Sequence, residues 1–255
     1  MIFAIDAGNT HIVLGCLEGD DIRFTARLCT DRAKTRDEYA LLFRSIFELH
    51  HVDPSQVEGA VLSCVVSELT NVLCRGVEAV VGKKPLVVGA GIKTGLNIKI
   101  DDPGQLGADL VVGAVAATDK YPKPMIIFDM GTANTMSVID REGRFLGGAI
   151  LAGLQLSVDA LSSGTSQLPR IQLAVPPRVV CSNTVECMQS GAVYGHAAML
   201  DGLIDRVEEE LGMPMASVVA TGGLSPVVVP LCRRKIAIEE DLMLQGLKLI
   251  YQKNH

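Results

Sequence analysis

Tryptophan is absent from the 255-residue chain, and aromatic residues make up only 4% of it. The core must then rest on Val, Ile, Leu and Ala. The stacked aromatic platforms that hold single-stranded nucleic acid are not expected. A strong charge of one sign is also missing. The formal net charge is −6, and no basic run is long enough to track a phosphate backbone, so nucleic acid is not an expected partner. No apolar stretch reaches the length of a membrane span; the longest candidate, Leu110–Thr118, reads as a buried helix. The first residues, Met1-Ile2-Phe3-Ala4-Ile5-Asp6, lack the basic segment and long apolar run of a secretion signal, so a cytoplasmic protein with no membrane partner is expected. The seven cysteines are odd in number and include no C-x-x-C pair, which speaks against a disulfide framework or a zinc site. The five histidines show no metal-ligand spacing, and His196 in an Ala-rich segment reads as a packing residue. Gly76 to Gly82-Lys83 has the wrong spacing for a P-loop. Gly89-Ala90-Gly91 is followed by Gly95, one place late for a dinucleotide fingerprint. Neither G-x-S-x-G nor H-E-x-x-H occurs.

What is present is an ordinary globular balance, 48% hydrophobic and 20% charged. The periodicity predicts strands over 2–5, 11–17 and 22–28, a helix over 36–50, a strand over 59–64, a helix over 68–81, a short strand over 86–88 and a helix over 110–118. Asp119-Lys120-Tyr121-Pro122-Lys123-Pro124 reads as a linker, because two prolines in three residues cannot continue a helix. The pattern then restarts, with strands over 125–128, 136–139 and up to about 150, helices over 154–162 and 184–211, a strand over 218–220 and a helix over 239–251. This alternation predicts an α/β fold in two domains, residues 1–119 and 125–255.

The restart is an internal repeat. Ile5-Asp6-Ala7-Gly8-Asn9-Thr10 and Phe128-Asp129-Met130-Gly131-Thr132-Ala133 each place strand–Asp–x–Gly–polar before a second strand. Two such halves predict a pseudo-twofold molecule with a cleft between them. An Asp at a strand end, a Gly in the turn and a hydroxyl or amide beyond it make a compact site for an anion and a cation. Turn amides face phosphate oxygens, and the carboxylate holds a cation or its waters. The competing reading is a hairpin in which Asp or Asn bonds its own backbone, and the doubling of the pattern disfavours it. Gly107-Ala108-Asp109 opens the apolar helix. Asp109 there either accepts a hydrogen bond from a substrate hydroxyl or simply complements the helix dipole. Gly147-Gly148, Gly153 and Thr221-Gly222-Gly223 either bring backbone close to a nucleotide or form plain turns, and Asn183-Thr184 looks like a helix cap.

Taken together, Asp6-x-Gly8-Asn9-Thr10, Gly107-Ala108-Asp109 and Asp129-x-Gly131-Thr132-Ala133 resemble type III pantothenate kinase. The likeness continues through Gly147-Gly148-Ala149-Ile150, Leu168-Pro169, Asn183-Thr184, Gly191, Gly195 and Thr221-Gly222-Gly223, and so covers almost the whole chain. It implies the actin, sugar-kinase and heat-shock-chaperone superfamily, with two ribonuclease-H-like domains around an ATP cleft. It also implies a homodimer that uses Mg-ATP and a monovalent cation, K⁺ or NH4⁺, to phosphorylate pantothenate at the start of coenzyme A synthesis. Carried over by position, Asp6, Ala7, Gly8, Asn9, Thr10, His11, Ile12 and Val13 would hold ATP phosphates, with Asp6 reaching Mg²⁺ through water. Thr132 would contact ATP, Asp129 would bind the monovalent cation, and Asp109 would accept the pantothenate proton. Gly107, Ala108, Asp109, Leu110 and Thr184 would line the substrate. Three positions depart from the family pattern: Leu110 stands where an arginine is common, Ile100 where an aromatic is frequent, and Ala152 where a proline is usual. The first two bear on substrate affinity. A non-catalytic regulator of the Bvg accessory factor kind, or a kinase for another small hydroxy acid, remains the alternative.

Overall fold

The computed structural model describes residues 1–255, which cluster into two compact units. The first comprises residues 1–96, 102–119 and 241–255, and the second residues 97–101 and 120–240.

The first unit opens with three antiparallel strands, β1 (Ile2–Ala7), β2 (His11–Glu18) and β3 (Asp21–Cys29). Helix α1 (Arg36–Leu49) follows. It is started by a capping box in which the Glu38 N–H bonds Thr35 Oγ1 while Glu38 Oε2 takes the Thr35 N–H at 2.8 Å. Strand β4 (Gly59–Cys64) pairs parallel to β1, helix α2 (Ser67–Val81) ends on left-handed Gly82, and β5 (Leu86–Val87) closes the sheet in the order β3-β2-β1-β4-β5. Alternation along β1 divides its residues between two faces. Phe3, Ile5 and Ala7 share one core with Phe43 and Phe47 of α1, and the Phe3–Phe47 centroids lie 4.9 Å apart. Four of the six phenylalanines (Phe3, Phe24, Phe43, Phe47) sit in this core, so the scarce aromatic volume is concentrated in one unit.

Strand β6 (Asn97–Ile98) belongs to the second unit, whereas helix α3 (Ala108–Lys120) lies almost wholly in the first. The second unit repeats the plan of the first: β7 (Met125–Met130), β8 (Ala133–Ile139) and β9 (Arg144–Ala152) are antiparallel. Then come α4 (Leu154–Gly164), α5 (Thr184–Leu211), β10 (Ser217–Thr221), the single turn α6 (Ser225–Val228) and β11 (Ala237–Ile238). The sheet order is β11-β10-β7-β8-β9-β6, which without β6 is the order of the first sheet read backwards, strand for strand. Helix α5 starts on Asn183, whose Oδ1 accepts from the Glu186 N–H at 2.9 Å, and ends on left-handed Gly212.

The last helix, α7 (Leu242–Asn254), departs from the expected division at 125–255, because it packs on the first sheet. Three glycines explain this. A Cβ on Gly15 would lie 2.6 Å from Leu244, one on Gly59 would lie 1.8 Å from the Tyr251 hydroxyl, and one on Gly246 would lie 2.2 Å from the Val112 carbonyl of α3. Only a residue without a side chain lets α7 approach β2, β4 and α3 this closely. The Asn254 amide also pairs with both backbone groups of Lys93, at 3.1 and 2.9 Å. No helix is long and apolar enough to cross a membrane.

Candidate active site

In the first unit, Asp6 and Val13 are opposite partners near the end of the β1–β2 hairpin. The turn closes through the Gly8 N–H bonded to the His11 carbonyl at 2.9 Å, and the Thr30 hydroxyl donates to the Gly8 carbonyl at 2.7 Å. Gly8 does not take the left-handed conformation; a Cβ there would make a tight contact, 3.2 Å from the His11 carbonyl. Gly8 is half-buried, and Asn9, Thr10 and His11 are exposed, with Asn9 Oδ1 accepting from Arg32 at 3.2 Å. The Ala7 and Ile12 side chains are fully buried in the α1–α2 core, so these two offer a ligand only their backbone.

Asp6 points to the opposite face of the sheet, the one that α7 covers. Ile2, Ala4 and Asp6 alternate with Phe3 and Ile5, and their partners Gly59 and Gly15 carry Tyr251 and Leu244 of α7. Helix α3 packs against α7 on this side, through the close approach of Gly246 to Val112. Its first turn holds half-buried Asp109, whose Oδ1 accepts from the Leu110 N–H at 2.9 Å. Gly107 makes that pose possible, because a Cβ there would stand 2.4 Å from Asp109 Oδ1. Asp102 braces the approach, accepting from the Gly104 N–H at 3.0 Å and from Gln105 Nε2 at 2.9 Å.

In the second unit, Asp129 lies opposite Thr135 on β8 and beside Thr221 on β10. The Gly131 N–H bonds the Ala133 carbonyl at 3.3 Å and the Gly153 N–H bonds the Thr132 carbonyl at 3.1 Å. The glycines considered above for a nucleotide do their closest packing on this hairpin itself. A Cβ on Gly148 would fall 1.6 Å from the Met136 carbonyl, one on Gly153 2.2 Å from the Thr132 carbonyl, and one on Gly222 2.5 Å from the Met130 carbonyl. Thr184 is exposed as the first residue of α5. Half-buried Ile100, of the 97–101 segment, faces Gly147, and Leu110 is half-buried beside Asp109. His196 is buried with its ring nitrogens against the carbonyls of Ala192 (2.7 Å) and Ala152 (3.3 Å), a packing position.

Asp6, Thr10, Asp129 and Thr132 all engage other groups of the protein. No cluster of three His, Cys, Asp or Glu side chains that could enclose a metal ion occurs. The donors fit instead a hard cation held jointly by one carboxylate, water and phosphate, the usual arrangement for Mg²⁺ with a nucleotide. The fit is supported by a buried, unpartnered hydroxyl, Ser63 Oγ, on the strand next to Asp6. Sequence reasoning missed Ser63, which lies in an apolar strand run with no turn or motif to mark it.

The β-hairpin sheet is thus used twice, with a carboxylate near the mouth of each hairpin. Solved structures agree at the level of fold. A conserved protein from Campylobacter jejuni, assigned to the Baf family of transcriptional activators, superposes with a TM-score of 0.63 at 15% identity, over 99% of this chain and 98% of that one. A ROK hexokinase from Thermus thermophilus gives 0.51 at 12% identity, with 99% of each chain covered. The family itself is set by sequence. The model of the type III pantothenate kinase family matches residues 2–206. Curated type III pantothenate kinases from an Exiguobacterium species and from Moorella thermoacetica are 44% and 41% identical to the chain, covering 100% of it and 99% and 100% of themselves. The chain belongs to the type III pantothenate kinase family, and it is a kinase.

Proposed function

We propose that the protein transfers the γ-phosphoryl group of ATP to the primary hydroxyl of pantothenate, the step that opens coenzyme A synthesis. The observation that carries this reading is the full-length likeness to type III pantothenate kinases. The hydroxyl oxygen attacks the γ-phosphorus, the bond to the β-bridging oxygen breaks, ADP leaves, and the proton passes to Asp109. Phosphoryl transfer is limited by positioning and charge, so a weak carboxylate base in a half-buried helix start suffices. Residues 6–13, chiefly through turn amides and exposed Asn9 and Thr10, hold phosphate oxygens, and Thr132 contacts ATP from the second hairpin. Gly107, Ala108, Leu110 and Thr184 line pantothenate. Asp6, through water, would hold Mg²⁺ and Asp129 a monovalent cation, and these ions would supply positive charge against the phosphates.

The active form is proposed to be a cytoplasmic homodimer. The second unit leaves Ile150 78% and Val180 82% exposed, with Leu156, Leu161 and Val185 also open. Along α5, a Cβ added at Gly191, Gly195 or Gly202 would meet nothing within 4 Å, a small-residue face that admits another helix. A second copy of the chain is the occupant that the family membership favours, and sedimentation would read it as twice the chain mass.

Leu110 and Ile100 favour one rival, a family member that has drifted to regulation or to another hydroxy acid. A coupled ADP-release assay with Mg-ATP and pantothenate, in potassium and then in sodium, separates the readings. Pantothenate-dependent, potassium-stimulated release is expected. No release at millimolar substrates in either salt hands the case to the rival.

A further inference from the structure

Only three buried side-chain polar atoms in the protein lack a hydrogen-bond partner: both amide atoms of Asn134 and the hydroxyl of Ser63. A buried group of this kind calls for an explanation. Asn134 is the cross-strand partner of Met130 and shares a face with Met136, both part of the α4–α5 core. Ser63 differs. It is 0% exposed, sits on β4, and is the parallel-register partner of Asp6 on β1. Register partners on neighbouring strands project from the same face, about 4.8 Å apart. The Ser63 and Asp6 side chains therefore leave the sheet on the same face, the one away from the α1–α2 core that Ala60 and Leu62 join.

The repeat supplies a second, independent observation. In the other unit, β7 and β10 pair in parallel from Met125↔Ser217 to Asp129↔Thr221, as β1 and β4 pair from Ile2↔Gly59 to Asp6↔Ser63. Thr221, 1% exposed, thus occupies the place of Ser63 beside the other hairpin aspartate. Each loop carboxylate has one buried hydroxyl as its strand neighbour, although the two halves share little sequence around it. Packing alone gives no reason to keep a hydroxyl at both places, because Val61 and Val219, two residues earlier on the same faces, are aliphatic.

We propose that Ser63 is a positioning residue of the ATP site, donating its hydroxyl hydrogen to the Asp6 carboxylate or to a water that carboxylate shares with the magnesium ion of bound Mg-ATP. The proposal rests on the ATP role of the Asp6 hairpin. The hydroxyl orients Asp6 for the nucleotide and takes no part in proton transfer, so its loss weakens Mg-nucleotide binding and leaves pantothenate handling alone.

The test uses Ser63→Ala and Ser63→Thr in the full-length protein, with Mg-ADP binding by calorimetry, thermal unfolding without nucleotide, and steady-state kinetics. For Ser63→Ala the expected result is Mg-ADP affinity and KM for Mg-ATP weakened about tenfold, with KM for pantothenate unchanged. Its unfolding temperature without nucleotide should be equal to or above that of the wild type, because an unpartnered buried hydroxyl has been removed. Ser63→Thr, which copies the second unit, should recover most of the affinity. Wild-type affinity for Mg-ADP in Ser63→Ala overturns the proposal. So does a lower unfolding temperature without nucleotide, which would make the hydroxyl a structural group. If the wild type itself binds no Mg-ADP, the ATP reading of the hairpin has failed, and that result is visible before any variant is compared.

Discussion

At the scale of single residues, the aspartates differ in how they announce themselves. Asp6 and Asp129 were readable because the chain writes them twice at matched places, and both stand at hairpin ends as that pattern implies. Asp109 has no such signal; a carboxylate in a helix's first turn satisfies the dipole whatever else it does. Ser63 was illegible because its neighbour Asp6 is 57 positions away, and only the register makes them adjacent. Replacing Asp109 with Asn should lower kcat by at least about a hundredfold with little change in thermal stability, since the carboxylate bonds within its own helix. Turnover within a few-fold of wild type would remove Asp109 from the mechanism. Gly107→Ala is a subtler probe. The added methyl would stand 2.4 Å from Asp109 Oδ1, and a side-chain oxygen can swing away at small cost to the fold. Activity should therefore drop about tenfold or more while the unfolding temperature barely moves. A loss of stability matching the loss of activity would assign Gly107 to the scaffold alone.

At the scale of elements, hairpins and amphipathic helices were legible and nonlocal pairings were not. The helices expected over 36–50, 68–81 and 184–211 stand at 36–49, 67–81 and 184–211, because their apolar spacing and caps are local properties. β6 and β11 are two residues each and exist only through partners 47 and 18 residues away, Asn97↔Arg144 and Val219↔Ala237. The final helix begins at Leu242 instead of near 239 because Glu239 is held elsewhere: its N–H bonds the Ala220 carbonyl at 2.8 Å, and its carboxylate takes Lys120 at 2.6 Å and the Tyr121 hydroxyl. Glycine matching governs where that helix docks. In Gly246→Ala the new methyl would lie 2.2 Å from the Val112 backbone carbonyl, which cannot rotate away, so either α7 or α3 must shift. The expected cost is about 2–3 kcal/mol in denaturant unfolding, with early loss of protection in 242–254 by hydrogen exchange. An unchanged midpoint would mean that α7 is loosely held. Gly202→Ala, with open space at the Cβ position, serves as the control and should be neutral or slightly stabilising in the isolated chain.

At the scale of the whole molecule, the repeat was visible in the sequence, whereas the return of the C-terminal helix to the first unit was not, since no local pattern says which core an apolar face will join. The two units also differ in how they should respond to acid. In the first, Asp20, Asp31, Glu38, Asp53 and Glu58 are held below the usual carboxylate range, by hydrogen bonds from Lys248, Lys34, Thr35, Ser55 and the N-terminal amine respectively. These groups are largely open to solvent, with Asp31 the least so at 44% of its side chain, so water and salt screen them and little stability depends on them. In the second, the Arg234 guanidinium holds Glu208 low. Burial pushes Glu239 and Asp140 up, but Lys120 and Tyr121 in one case and Arg144 in the other bring them below the ordinary values of 4.5 and 3.8. Glu208, Glu239 and Asp140 are only 18%, 14% and 11% exposed at the side chain, so their partners are worth more. A carboxyl depressed in the folded state stabilises fully above its unfolded value and loses that contribution as pH falls through its folded value. The loss therefore begins near pH 4.5 and deepens below 3.8, and it falls on the second unit. Thermal unfolding followed from pH 7 to pH 3 should show the wild type falling steeply below about pH 4.5. The double variant Glu208→Gln, Glu239→Gln should start lower at pH 7, by about 1 kcal/mol for each partly screened pair, and then fall less steeply. Asp20→Asn with Glu58→Gln should track the wild type throughout. Parallel acid limbs in wild type and the Glu208, Glu239 variant would place the acid sensitivity elsewhere. Steeper dependence on the exposed pair would reverse the assignment of the sensitive unit.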